Sequence, residues 1–265
     1  MIPPEVRALA EDPSAYTSPG TGSRRVDRDG WSLVVADADR STIVSRIRLG
    51  EDELEAAVEE VRATVREAGR GLVTWWVSDS TTPGGADERL LALGLEPSAP
   101  PLFEERYEAL ALVEPPPAAP PGIEVARPAG VDELVEVRGL VDAIFGVDED
   151  EPRARTTAEL DWAREQAGEI ATFLARVHGR LAGYARSVFG EHGIFMAGGA
   201  VLPELRGRGL YRALVRARWD DAAERGLPAL TTQAGAMSAP ALRHLGFEHV
   251  ADVRVLVDRL APLGR

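Results

Sequence analysis

Two arginines and two glycines alternate at Arg206, Gly207, Arg208 and Gly209, directly after an apolar run. Pro203 ends that run as a strand, because proline lacks the N–H that a sheet ladder needs. Glycines let a backbone approach a ligand closely and adopt positive φ. The unpaired N–H groups and the dipole of a following helix favour phosphate, and arginines add charged donors. This stretch therefore predicts a pyrophosphate cradle.

The composition and spacing exclude several other kinds of site. The 265 residues contain no Cys, no Lys and no Asn. A Cys nucleophile, a thiolate metal site, a Schiff-base lysine and a P-loop lysine are therefore absent. The turn also lacks the G-x-G-x-x-G spacing of dinucleotide-binding folds. An arginine–glycine surface turn without a ligand stays open as the alternative interpretation.

The charge balance restricts the partners. Thirty Lys+Arg residues against 43 Asp+Glu residues give a net charge of −13. Like charges repel, so we expect no binding to nucleic acid or to an anionic membrane. No apolar run approaches the roughly 20 residues of a membrane span, and the N-terminus has no apolar signal core. These features predict a cytoplasmic protein without a metal site.

A proline-rich stretch divides the chain. Prolines at 115, 116, 117, 120 and 121 favour an extended, stiff spacer. We predict a first domain at 1–113, a linker at 114–122 and a second domain at 123–265. In the first domain we predict a loose stretch to about residue 30, then helices at 54–68 and 86–93 and strands at 31–35, 42–49, 72–77 and 106–113.

The second domain reads as a mixed sheet with helices, an α+β pattern that carries the arginine–glycine turn between a strand and a helix. The predicted strands are 123–127, 170–177, 181–188, 194–201, 229–233 and 250–256. The predicted helices are 132–145, 157–167, 209–225 and 238–245. The glycine pair at 198–199 lies inside a strand, where glycines mark a bulge or a close backbone approach.

The two domains contain two pairs of similar short sequences, which we call the internal echo. LLALGLE at 90–96 parallels LRHLGFE at 242–248, and EAGRGLVTWW at 67–76 parallels AERGLPALTT at 223–232. Two echoes in the same order indicate a duplicated fold. In the first domain, Glu51 and Asp52 stand at the helix start and would repel a pyrophosphate. We therefore predict that the first domain is a degenerate copy that does not bind the phosphate ligand.

The second domain resembles a known family. The pattern V-x-P-x-x-R-G-x-G before a helix is similar to the acetyl-CoA-binding motif of the GNAT (Gcn5-related) N-acetyltransferases. The family signature R/Q-x-x-G-x-G/A falls on Arg206, Gly209 and Tyr211, and Tyr211 departs from the usual small residue. The resemblance implies the α/β/α GNAT acyl-CoA N-acyltransferase fold, here in tandem with a degenerate N-terminal unit.

The resemblance also implies where acetyl-CoA would bind. The pyrophosphate would lie on the arginine–glycine turn and the pantetheine arm beside the strand before it. The residues implied to bind acetyl-CoA are Gly199, Ala200, Val201, Arg206, Gly207, Arg208, Gly209, Leu210, Tyr211 and Ser238. Ser238 is equally a plain helix N-cap.

Direct attack of an amine on the thioester needs a base, polarisation of the carbonyl and sometimes an acid. The tyrosine that the family often carries in its late helix corresponds to Leu242, and the strand from 194 to 201 has no acid. The candidates are Glu191, His192 and Tyr184. Glu191 and His192 are alternatively turn residues, and Tyr184 is alternatively a core residue.

Two functions stay open at this stage. The first is an acetyl-CoA-dependent N-acetyltransferase, an acyltransferase of the EC 2.3.1 class, acting on a small-molecule amine or a peptide N-terminus. The second is a non-catalytic acyl-CoA-binding sensor. The acidic loop from Asp148 to Glu151 could attract a cationic amine or could simply be solvated. The sequence leaves the oligomeric state open, a homodimer included.

Overall fold

A computed structural model describes residues 1–36, 42–146 and 150–260. The chain forms two compact units. The C-terminal unit comprises residues 1–2, 111–232 and 244–247, and the N-terminal unit comprises residues 3–110, 233–243 and 248–265. Within the described residues, no helix is both long and apolar enough to cross a membrane.

The N-terminal unit is built on a mixed sheet in the order β1-β2-β3-β4-β12-β6, in which β12 is the late strand Glu248–Arg259. β3 and β4 run parallel, and β12 pairs antiparallel with β4. Helix α3 carries its apolar positions on one face, and Val58, Val61 and Val65 are fully buried against the sheet. The elements of this part of the chain are α1 (Pro4–Glu11), α2 (Pro13–Tyr16), β1 (Arg24–Arg28), β2 (Trp31–Val35), β3 (Ile43–Ser45), α3 (Leu54–Glu67), β4 (Leu72–Ser78), α4 (Ala86–Ala92), β5 (Glu96–Pro97) and β6 (Arg106–Leu112).

The C-terminal unit is built on strands in the order β11-β10-β9-β8-β7. β10 runs parallel to β11 and antiparallel to β9, so the β10–α7–β11 segment is a parallel crossover. The elements here are β7 (Glu124–Ala126), α5 (Val131–Phe145), α6 (Glu151–Gln166), β8 (Ile170–Val177), β9 (Arg180–Gly190), β10 (Gly193–Val201), α7 (Leu210–Glu224), β11 (Leu230–Ala234), α8 (Ala239–His244) and β12 (Glu248–Arg259).

The internal echo has a structural counterpart. Each unit contains a parallel strand pair joined by a helix, β3–α3–β4 in one and β10–α7–β11 in the other. In each case the glycine after the helix takes positive φ, at Gly69 and at Gly226. This left-handed position is the usual helix stop, and it explains why the same letters recur at both places.

Three expectations differ from the observed elements. The N-terminal 30 residues contain two helices and a strand, since Pro4 and Pro13 occupy the first helical turn, where proline is tolerated. β3 covers only Ile43–Ser45 of the strand predicted at 42–49. Helix α6 begins at Glu151, because the Asp150 carboxylate accepts the Arg153 N–H and caps it.

The last strand of the chain belongs to the N-terminal unit. Leu256 and Leu260 lie in the same core as α3 and β4. Arg62 on α3 donates two hydrogen bonds to Asp258 on β12, one from Nε to Oδ2 at 2.7 Å and one from Nη2 to Oδ1 at 3.2 Å. Asp258 is buried, and its hydrogen bond raises the pKa of the Arg62 guanidinium. The fold of the first hundred residues therefore depends on the last strand of the chain.

We predict that Asp258→Ala destabilises the protein by about 3 kcal/mol, because it removes the buried carboxylate that accepts two hydrogen bonds from Arg62 and leaves Arg62, among the described carboxylates, only its exposed partner Glu59. The control is Arg259→Ala, which removes an exposed 3.8 Å pair with Glu96 and costs less than about 1 kcal/mol. Urea unfolding of the full chain measures both. Equal losses for the two variants would contradict the anchoring role of Asp258.

Candidate functional site

The arginine–glycine turn connects β10 to α7. After Val201 the chain makes a single 3-10 turn at Pro203–Leu205 and then enters the turn proper. Gly207 and Gly209 take positive φ, 74° and 87°, a backbone region that other residues rarely adopt. Gly209 is the residue immediately before α7, so this left-handed geometry sets how the helix begins.

The start of α7 presents unpaired main-chain donors. The first helical bond runs from the Ala213 N–H to the Gly209 carbonyl, 3.0 Å. Among the described residues, no backbone carbonyl accepts from the amides of Gly207 to Arg212. No side chain there caps the helix either. Together with the helix dipole, these amides form a site that favours an anion.

Three arginines around this turn have no carboxylate partner in the part of the chain that the structure describes. Arg206 turns its Nε back to the Val201 carbonyl at 3.3 Å, and Arg208 is exposed. Arg212, on the first turn of α7, has a buried Nε with no hydrogen-bond partner. Elsewhere arginines such as Arg127 and Arg186 pair with acids. Sequence reasoning found Arg206 and Arg208 but missed Arg212, whose signal was its place in the first helical turn.

The proline-rich segment packs against this turn. A Cβ at Gly209 would overlap Cγ of Pro120, so this position needs glycine for space as well as for its positive φ. Nη1 of Arg216 on α7 also donates to the Pro116 carbonyl at 3.3 Å. The prolines thus hold one side of the turn in a fixed position.

Strand β10 is interrupted beside the turn. Its register with β9 shifts between Phe195 and Gly198, which is the bulge predicted from the glycine pair. Its pairing with β11 stops at Phe195, opposite Thr231. From Gly198 to Val201, β10 therefore has strand pairing on its β9 side, with no Cα partner on the β11 side among the described residues. This free edge offers main-chain groups to a ligand.

Two side chains approach the bulge. The Tyr184 hydroxyl would lie 3.9 Å from a Cβ placed on Gly198, and Nη1 of Arg218 donates to the Gly198 carbonyl at 3.3 Å. Burial raises the pKa of Tyr184, an effect that the positive charges of Arg186, Arg138 and Arg218 partly offset, so its phenol is protonated at neutral pH. Sequence reasoning named Tyr184 and missed Arg218. The sequence could have revealed Arg218 because it is a charged residue at helical spacing among the apolar residues Leu210, Leu214 and Ala222 of α7.

Tyr211 is half-buried and packs against the apolar cluster under α7. Its backbone N–H belongs to the group of amides at the helix start that have no partner among the described residues. A residue larger than glycine is therefore accommodated at this position of the motif.

Among the other predicted residues, Glu191 and His192 lie away from the turn. Glu191 and His192 occupy the exposed β9–β10 turn, with His192 Nε2 4.0 Å from Glu191 Oε2. They stand at the opposite end of β10 from the arginine–glycine turn. Ser238 belongs to the N-terminal unit, and its Oγ donates to the Gly235 carbonyl at 3.3 Å. Asp148 and Glu149 of the acidic loop lie outside the described residues, and Asp150 caps α6.

The corresponding helix start in the N-terminal unit is occupied by its own side chain. The Gly50 N–H donates to Glu53 Oε2 at 2.6 Å, just before α3 begins. Glu51, Asp52 and Glu55 add further negative charge at this end. The two helix starts therefore differ in electrostatics, since one is filled by carboxylates and the other is open and flanked by arginines.

The described geometry coincides with a family match. The model of the acetyltransferase (GNAT) family matches residues 134–247, which include β10, the turn and α7. Residues 134–247 form a GNAT domain. No curated protein matches the chain.

Solved structures share the fold of the whole chain. A GCN5-related N-acetyltransferase from Kribbella flavida is 19% identical, with a TM-score of 0.70 over 98% of this chain and 96% of that one. A tandem GNAT protein from the clavulanic acid biosynthesis pathway is 17% identical, with a TM-score of 0.63 over 99% and 90%. A GCN5-related N-acetyltransferase from Sphaerobacter thermophilus is 18% identical, with a TM-score of 0.62 over 88% and 78%. The chain therefore has the mixed-sheet α+β fold of a tandem GNAT protein.

We predict that Tyr184 ionises only above its ordinary pKa of 10. Because the folded pKa is raised, the stability that the buried neutral phenol contributes is present below pH 10 and is lost as pH rises through the folded value. Absorbance titration at alkaline pH should show that Tyr184→Phe removes one late transition. Tyr16→Phe, at an exposed residue, should leave that transition in place. Burial also raises the pKa of Tyr107, whose late transition therefore remains in every variant. An amplitude of the late transitions that is the same in Tyr184→Phe and in the wild type would contradict the assignment.

Proposed function

We propose that this protein is an acetyl-CoA-dependent N-acetyltransferase, with the C-terminal unit as its active unit. The observation that carries the proposal is the open start of α7, where free amides and three unpaired arginines follow a strand with a free edge. A pyrophosphate needs this combination of main-chain donors, dipole and guanidinium groups. The GNAT family match of the same residues supports it.

In this proposal, the amides from Gly207 to Arg212 hold the pyrophosphate, and the guanidinium groups of Arg208 and Arg212 neutralise it. The pantetheine arm lies along the free edge of β10 at Gly199, Ala200 and Val201. Acetyl-CoA supplies an acetyl group activated as a thioester. The chain supplies the position and the electrostatic environment for its transfer.

The proposed reaction is direct transfer to an amine. The amine nitrogen forms a bond to the acetyl carbon, the carbon–sulfur bond breaks, and CoA leaves as a thiolate that takes up a proton. Tyr184, protonated at neutral pH and adjacent to Gly198, is suited to donate that proton. The acceptor, a small-molecule amine or a peptide N-terminus, attacks as the neutral amine, and the proton that its nitrogen then loses passes to water. Glu191 and His192 are not assigned this step, because they lie at the far end of β10.

The N-terminal unit takes a structural part in this proposal. Its equivalent helix start is closed by Glu53, and the surrounding acids disfavour a pyrophosphate. We expect one acetyl-CoA per chain in calorimetry. A stoichiometry of two would contradict the degenerate character of this unit.

We predict that Arg212→Met weakens acetyl-CoA binding about tenfold, since it removes one charge-assisted contact to phosphate worth about 1.4 kcal/mol. The loss should shrink at high ionic strength. Arg155→Met, at an exposed arginine on α6 that pairs with Asp132, is the control and should bind as the wild type does. Isothermal calorimetry measures both. Equal affinity of Arg212→Met and wild type would remove Arg212 from the cradle.

Release of free thiol from acetyl-CoA over a panel of small amines and peptides tests the activity. Turnover with any acceptor supports the transferase, and tight binding without turnover on any acceptor supports the sensor instead. We expect Glu191→Gln and His192→Ala to change kcat less than threefold, since they precede Gly198 by seven and six residues, roughly 20–23 Å of extended chain. A tenfold or larger loss would identify them as the base.

A further inference from the structure

Arg218 is a buried positive charge without a counter-ion. It lies on the sheet-facing side of α7 and is 1% exposed. Nε donates to the Leu214 carbonyl of its own helix, and Nη1 donates to the Gly198 carbonyl, both at 3.3 Å. Nη2 is buried and has no hydrogen-bond partner. No carboxylate within the described ranges forms an ion pair with it.

This arrangement is costly for the fold. A guanidinium stays charged in proteins, and a buried charge without a partner loses its hydration with little in return. Burial lowers the pKa of Arg218, and the hydroxyls of Tyr211 and Tyr184 offset only part of that effect. An apolar side chain would suit the stripe of Leu210, Leu214 and Ala222 better. No acid among the described residues offsets the charge, which favours a partner that binds to the protein from outside.

The position of the charge relates it to the proposed ligand path. Gly198 lies three residues before Val201, about 10 Å along the strand from the start of the turn. The pantetheine arm has roughly twelve bonds between its phosphate and its sulfur, so it extends about 13–14 Å. An arm that leaves the turn along the free edge of β10 thus brings its thioester to the region of Gly198 and Arg218.

We infer that Arg218 is a further catalytic residue, whose Nη2 donates to the thioester carbonyl oxygen and stabilises the negative charge that develops there. The inference rests on the proposed function and deepens it. When the amine nitrogen adds to the acetyl carbon, the carbonyl electron pair moves to oxygen. When the carbon–sulfur bond breaks, that pair returns and sulfur takes the negative charge. A fixed cation in a water-excluded site favours both stages over the neutral ground state.

The inference also accounts for a gap in the sequence. The position at which the family often carries a tyrosine is Leu242, and the chain has no asparagine. With fewer polar side chains for the leaving group, a buried guanidinium supplies electrostatic stabilisation that needs no proton transfer. Tyr184 and Arg218 then both lie beside Gly198, where Tyr184 acts as a proton donor and Arg218 as a permanent charge.

The test is infrared spectroscopy of acetyl-CoA, labelled with ¹³C at the carbonyl, bound to the full-length protein without any amine. Donation from a guanidinium lowers the carbonyl stretching frequency. We expect a downshift in the wild type that Arg218→Met largely loses and Arg218→Lys partly keeps. The control is Arg225→Met, at an exposed arginine directly after the same helix that pairs with Asp221, and it should keep the downshift.

Two further measurements separate catalysis from packing. Arg218→Met should melt at the same or a higher temperature than the wild type, because it replaces an unpaired buried charge by an apolar side chain. Its kcat should fall about 100-fold or more, with the dissociation constant for CoA unchanged. A lower melting temperature with an unchanged carbonyl frequency would overturn the inference and assign Arg218 a structural role.

The same data distinguish this inference from the proposed function. A carbonyl downshift that depends on Arg218, in a protein that acetylates no amine in the panel, supports the contact between Arg218 and the thioester but contradicts the transferase and, with it, the catalytic role of Arg218. Turnover in which Arg218→Met changes neither the carbonyl frequency nor kcat supports the transferase and overturns the inference. A wild type that does not bind acetyl-CoA overturns both.

Discussion

The unpaired amides at the start of α7 are the constraint on which the rest of the site depends. Amide groups that would otherwise have to be satisfied by a cap are left open by the two left-handed glycines of the turn. Pro120 packs against Gly209, so the opening is held in place from the linker side. Strand β10, which precedes the turn, does not pair with β11 beyond Phe195. The proposed path of the pantetheine arm follows this free edge.

The two units show how few residues separate an open helix start from a closed one. Both contain a parallel strand pair joined by a helix, yet Glu53 accepts from the Gly50 amide in one, while arginines flank the turn in the other. The same backbone arrangement therefore ends in a helix start closed by a carboxylate in the first unit and in an open helix start, the proposed anion site, in the second. The C-terminal strand adds to this division, since Asp258 and Leu256 stabilise the N-terminal unit.

Much of this arrangement is readable in the sequence because local chemistry dictates it. Gly207 and Gly209 are glycines where positive φ is required, and the apolar spacing of α3 predicts its buried face. The bulge at Gly198 follows from a glycine pair inside a strand. The helical start of the chain was missed because a proline reads equally as a loop residue and as the first residue of a helix.

The sequence by itself determined the nature of the turn, the fold class and the absence of lysine, cysteine and asparagine chemistry, because these depend on neighbouring residues or on composition. Tertiary structure alone decided that Arg218 reaches the Gly198 carbonyl, 20 residues away along the chain, and that its Nη2 stays without a partner. It also placed Glu191 and His192 in an exposed turn at the far end of β10. The reason is physical: burial and pairing of a side chain are set by what packs across the sheet, and a linear spacing carries no information about that partner.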